Sequence, residues 1–206
     1  MSFFKSIFDK PWDTQGENPA LIGTEIAEGL HPKRIALRMF LAVVFVLFML
    51  FITAYFIRME LDDWRPLPEP GMLWVNTGLL FLCSIVMQWT RNIAQDDAMQ
   101  GKVKWGMIIS GAFSLAFIFG QLQAWQELNN AGFYMSSNPA NSFFYLLTGL
   151  HGLHILGGLW VWTRSTFKIL SGTEVKAIRL SVELCAVYWH LLLLVWLILF
   201  ALLSYT

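Results

Sequence analysis

Long apolar runs punctuated by short polar clusters organise this chain. No Asp, Glu, Lys or Arg occurs between Arg38 and Arg58, between Glu69 and Arg91, between Lys104 and Glu127, between Glu127 and Arg164, or after Glu183. A helix crossing the hydrocarbon of a bilayer needs ~20 mostly apolar residues. The pattern therefore predicts five transmembrane helices, over about 35–58, 72–92, 103–126, 141–165 and 178–204. The fold class is all-α: a polytopic membrane helix bundle. Met39 to Ile57 is apolar almost all round, so the first span offers its neighbours packing and little chemistry. In the third span Gly106, Ser110 and Ser114 recur every fourth residue, a row of small side chains that favours close helix contact.

The polar segments complete the outline. Phe3, Phe4, Ile7, Phe8 and Trp12 surround Lys5 and Lys10 with the spacing of a short amphipathic helix at a membrane interface. No apolar core follows, which excludes a secretory signal peptide. Asp13 to Pro32 reads as an aqueous arm, so residues 1–32 form an N-terminal arm and 33–206 the helical domain. Pro66, Pro68 and Pro70 make the connection from Arg58 to Gly71 stiff and extended.

Composition sharpens this picture in two ways. Apolar residues make up 56% and charged residues 14%, which excludes an ordinary soluble domain. The net charge of zero conceals a positional asymmetry and gives no reason to expect a nucleic-acid partner. With the N-terminus inside, Lys5, Lys10, Lys33, Arg34, Arg38, Arg91, Lys102, Lys104, Arg164, Lys168, Lys176 and Arg179 fall on the inner side, and only Arg58 and Arg65 outside. The positive-inside rule then places the C-terminus outside. Trp74, Trp89, Trp105, Trp125 and Trp162 fall near span ends, as interfacial anchors should. Cys83 and Cys185 sit in apolar spans without a CxxC and read as packed thiols.

Candidate chemistry concentrates at Phe144–Gly158, FYLLTGLHGLHILGG. His151 and His154 are three residues apart, close to one helical turn, so both imidazoles face one side. With Glu183 and His190 they are the ionisable groups well inside the spans, where such groups are expensive and mark function by default. Glu183 and His190, seven apart, share a helix face; Gln123 and Glu127 are one turn apart at the far end of the third span, and Asn76 opens the second. Three readings compete. Haem or metal ligation by a pair such as His151 and His190 would need more histidines or carboxylates to fill two sites. A transport path would bring internal repeats or broken helices, and the spans hold no repeat and no proline. A structural seam, bonding between helices or to a lipid head group, fits the spacing best and names no biological role.

These residues also carry a family resemblance. TGLHGLHILGG at Thr148–Gly158, YWHLLLLVW at Tyr188–Trp196, VNTGLLFLCS at Val75–Ser84 and GQLQAWQEL at Gly120–Leu128 stand in the order found in subunit III of the haem–copper oxidases. The match covers about 70–206, and the chain resembles the short five-helix form of cytochrome c oxidase subunit III. The resemblance implies a non-catalytic subunit in a bacterial cytoplasmic membrane, beside catalytic subunit I and subunit II. Haem and copper would reside in those partners, and this chain would have no catalytic, cofactor or metal residue. It would hold phospholipid between its helices and support stability and sustained turnover during oxygen reduction coupled to proton pumping. His151, His154, Glu183 and His190 are then the motif positions. Two carboxylates typical of the family are replaced, one by Val44 in the first span and one by Leu194. An accessory protein of a nitric oxide reductase, or subunit III of a quinol oxidase, is the alternative.

Overall fold

The structure, a computed structural model, describes residues 32–67, 71–96, 99–173 and 175–205. The interfacial helix and arm expected before Pro32, together with Pro68 and Pro70, lie outside these residues. The helices are α1 (Pro32–Met59), α2 (Met72–Ile93), α3 (Gln100–Asn130), α4 (Pro139–Leu170) and α5 (Val175–Tyr205). All five are long and apolar enough to cross a membrane, and no strand occurs among the described residues.

Each expected span is present; α1, α3, α4 and α5 run further at both ends, and α2 starts at Met72 as expected and runs one residue further, to Ile93. Hydropathy marks where a helix meets hydrocarbon; capping decides where it stops. Pro32, expected as the last residue of the arm, instead opens α1, where a missing N–H costs nothing. Asn138 caps α4 by accepting from Ala140 N at 3.1 Å, with Pro139 as the first helical residue. α3 ends at Gly132, whose φ of 87° is readily adopted only without a Cβ. There Phe133 N donates to Leu128 O and Gly132 N to Asn129 O, both at 3.0 Å, the paired bonds of a Schellman motif.

Residues 40–205 hold the packed unit. α2 lies along α3, α3 on α4, α4 on α5 and α5 back on α2, closing a ring of four helices. Over their most apolar stretches α5 is 56% buried and α1 only 22%, so α5 is the inner wall and α1 leans on the outside. From Phe40 onward α1 is attached through aromatic contacts: Phe40 on Tyr188, Phe48 on His151 and His154, and Tyr55 on Phe143.

Apolar surface gains little by moving from lipid to protein, so close packing must hold the ring together. Glycines provide it. A Cβ on Gly106 would overlap Thr90 Oγ1, one on Gly111 the Trp162 ring, and one on Gly120 the Asn76 amide. Each is a socket for a side chain of a neighbouring helix. Ser110 and Ser114 continue the Gly106 row and are fully buried.

The α1–α2 connection is pinned where it is described. Arg58 donates twice to Asp63, at 2.6 and 2.5 Å, Trp64 meets the Tyr55 ring edge-on at 4.8 Å, and Asn138 Nδ2 donates to Arg65 O at 2.6 Å. The Arg58 hydrogen bonds hold the Asp63 carboxyl below its usual range. A lowered folded pKa adds order that is complete above the ordinary carboxylate pKa and lost as pH falls through the lowered one. The protection of the amides over 61–64, taken relative to their intrinsic exchange rates, should therefore stay constant from neutral to mildly acidic pH and fall only in stronger acid. High salt should shrink the effect, because the pair is exposed.

Candidate functional site

The histidine seam divides into two places. His151 is fully buried, with ring centroids of Phe48, Phe117 and Trp196 at 6.3, 5.8 and 5.1 Å. Neither of its ring nitrogens has a hydrogen-bond partner among the described residues. It therefore acts here by packing, although its spacing suggested a bond between helices. The box around it is tied down instead by Trp196, whose indole donates to Thr77 Oγ1 at 3.0 Å. His154, one turn on, also lies against Phe48, at 5.4 Å. Its Nδ1 is 2.7 Å from Leu150 O; a carbonyl only accepts, so Nδ1 carries the proton. The His154 carbonyl in turn accepts from the Tyr188 hydroxyl at 2.7 Å.

His190 belongs to the α2–α5 contact. Its Nε2 meets Gln88 Oε1 at 2.9 Å and its Nδ1 meets Ser84 Oγ at 2.5 Å. The amide oxygen only accepts, so Nε2 carries the proton and Nδ1 accepts from the serine hydroxyl. Gln88 Nε2 passes the chain on to Asn92 Oδ1 at 3.1 Å. Glu183 shares the helix face of His190, as its spacing predicted, and approaches Arg91 of α2 at 3.9 Å. Arg179 donates to Ala94 O and Gln95 O, both at 2.8 Å, and so closes the end of α2.

Asn76 is fully buried and donates to Gln121 Oε1 at 3.3 Å. Gln123 and Glu127, chosen as a pair from their spacing, are both exposed. The helical row Gly106, Ser110, Ser114 runs on through Phe117 to Gln121, not to Gln123, so extending that row identifies the inward amide. The tryptophans divide as well. Trp74, Trp89 and Trp105 are exposed, as anchors should be, but Trp125 donates inward to Thr148 Oγ1 and Trp162 to Met107 O, both at 3.1 Å. Trp189 donates to Ser114 Oγ at 2.9 Å, beside buried Cys83. Indoles thus supply several of the bonds between helices. Among the described residues no three His, Cys, Asp or Glu side chains converge to hold a metal ion, and both nitrogens of His190 are already engaged.

The family model described as cytochrome c oxidase subunit III matches residues 21–206. The chain belongs to the cytochrome c oxidase subunit III family. It is 32% identical to cytochrome c oxidase subunit 3 of Synechocystis over 84% of this chain and 76% of the relative. It is 28% identical to the subunit 3 of Prototheca wickerhamii over 89% of this chain and 74% of the relative. A probable subunit 3 of Nocardia farcinica is 33% identical over 65% and 68%. In this subunit III chain His151 of the TGLHGLHILGG motif meets α1, α3 and α5, and Gly158 receives Tyr188 of α5. The two positions at which the resemblance implies carboxylates have different surroundings: Val44 is buried, whereas Leu194 on α5 is half exposed.

Proposed function

We propose that this chain is the accessory, non-catalytic subunit III of an aerobic cytochrome c oxidase in a bacterial cytoplasmic membrane, packed beside subunit I, which together with subunit II holds the haem and copper. The subunit III family match across 21–206 carries this reading. In this role the chain holds phospholipid and keeps subunit I assembled and turning over. His151, His154, Glu183, His190 and Asn76 set the packing of the helices, and Gln123 and Glu127 lie on the exposed face of α3. The basic residues of α2, α3, α4 and the opening of α5 face the cytoplasm, with the N-terminus inside and the C-terminus outside.

The test is a reduced-minus-oxidised visible spectrum of the complex captured in mild detergent through a tag on this chain. An a-type haem signal is the expected result. Only b- and c-type signals would move the chain to a nitric oxide reductase, and a b- or o-type oxidase signal accompanied by quinol oxidation would move it to a quinol oxidase. Deleting the chain should leave the haem signals of the partner subunits in place while turnover or assembly declines.

A further inference from the structure

Two of the glycine sockets on α3 face oxygen. A Cβ on Gly120 would overlap Asn76 Oδ1, and the next atom of that amide, Cγ, would lie 3.0 Å away. Asn76 therefore presents the oxygen end of its carbonyl to the glycine. A Cβ on Gly106 would overlap Thr90 Oγ1 in the same way, with Thr90 Cβ and Cγ2 further off at 3.0 and 3.1 Å. The hydrogen that each glycine carries in place of a side chain points at that oxygen. Each oxygen comes within the ~3.6 Å of Cα that a Cα–H···O bond spans.

Neither oxygen has a stronger donor to accept from. Asn76 is fully buried, and its Oδ1 has no hydrogen-bond partner among the described residues, although its Nδ2 donates to Gln121 Oε1. The Thr90 hydroxyl, also fully buried, gives its proton to Val86 O at 2.7 Å, which leaves its lone pairs for an outside donor. In water a Cα–H would lose these acceptors to solvent. Inside a bilayer no water competes, and a buried acceptor without any partner is costly.

The spacing of the two contacts matches on both helices. Asn76 to Thr90 on α2 and Gly106 to Gly120 on α3 are each an interval of 14 residues. Two heptads return a side chain to the same stripe of a helix in left-handed contact. Cys83 stands midway, 3.2 Å from Ser110 O and 3.3 Å from Ser114 Oγ. The glycines of α3 are Gly101, Gly106, Gly111 and Gly120, and of these only Gly106 and Gly120 are 14 apart. Sliding α2 to any other register puts a side chain opposite at least one of the two oxygens.

We propose that Gly106 and Gly120 donate Cα–H hydrogen bonds to Thr90 Oγ1 and Asn76 Oδ1, and that the pair is a key that admits a single register of α2 on α3. It goes beyond the subunit III assignment and does not depend on it. The register also decides where α2 meets α5, because α2 brings Thr77 to Trp196 and Ser84 and Gln88 to His190.

The test is NMR of the full chain in lipid nanodiscs with 13C-labelled glycine. One Cα proton of Gly106 and one of Gly120 should resonate downfield of those of Gly152 and Gly157, against which nothing would pack within 4 Å of a Cβ. Asn76→Leu should move the Gly120 proton upfield and leave that of Gly106 in place; Thr90→Val should do the reverse. Unfolding in SDS separates the bond from mere close packing. Thr90→Val keeps the shape and removes the oxygen, whereas Thr90→Ser keeps the oxygen and removes a methyl group. The serine variant should keep the parent's Gly106 shift and unfold nearer to the parent than the valine variant. Gly106 and Gly120 protons that resonate with those of Gly152 and Gly157 in the parent would overturn the proposal. So would a Thr90→Val variant that matches the parent in both shift and unfolding midpoint.

Discussion

Gly158→Ala destabilises the isolated chain by about 1–3 kcal/mol, the usual range for overpacking a well-filled core, while Gly157→Ala leaves it unchanged or slightly more stable. The two glycines are adjacent on α4, yet their surroundings are opposite. A Cβ on Gly158 would lie 2.5 Å from Tyr188 Cε1, 2.9 Å from Cδ1 and 3.1 Å from the Trp189 ring. Those rings cannot flex aside like the end of a lysine, and Tyr188 is further held by its bond to His154 O. A Cβ on Gly157 meets nothing within 4 Å. There alanine gains only the better helix propensity, roughly 0.5–1 kcal/mol over glycine. Thermal or SDS-induced unfolding in detergent reads the difference. A double-variant cycle locates its origin: Gly158→Ala should add little once Tyr188 is already alanine, because the clash is then gone. Equal losses at positions 157 and 158 would show that α4 does not present this register to α5.

Trp196→Ala is the other large effect, about 3 kcal/mol, at the lower end of the range for truncating a buried aromatic residue. Trp196 is among the largest fully buried side chains and stands edge-on to Phe117 at 4.9 Å, against His151 and bonded to Thr77. Part of the usual loss is absent here. An indole released into lipid stays in apolar surroundings, so what is lost is packing, the α2–α5 hydrogen bond and the cavity left behind. Trp196→Phe should keep most of the packing and lose only the bond to Thr77, whose hydroxyl still reaches Leu73 O at 2.8 Å. The phenylalanine variant should therefore lie much nearer the parent than the alanine variant. If the two unfold alike, the hydrogen bond rather than the ring volume holds the box together.

How much of this could be read beforehand differs by level. The charge-free runs located all five helices, because the bilayer enforces one length and one composition on any spanning segment. The small-residue row of α3 correctly identified a buried face, since a period near four is local geometry. The ordered motifs from Val75 to Trp196 pointed to the family that the comparison then matched. The polar seam was less legible. Spacing places residues on a helix face, but it names no partner on another helix. His151 and His154 look equivalent in the motif. In the fold one enters a dry aromatic box and the other bonds its own helix at Leu150 O.

Hydropathy, helical period and the motif order thus determined the architecture and the family from the chain alone, because each is a property of one segment or of segments in series. Only the packed ring decided which side chains meet. It turned Gln121 inward and left Gln123 and Glu127 exposed, drew the Trp125 and Trp162 indoles into the bundle, and set His190 between Ser84 and Gln88. The physical reason is that in lipid nearly every face of these helices is apolar enough to be exposed. The choice of inner face then falls to shape, to which glycine receives which ring, and shape exists only once the helices are side by side.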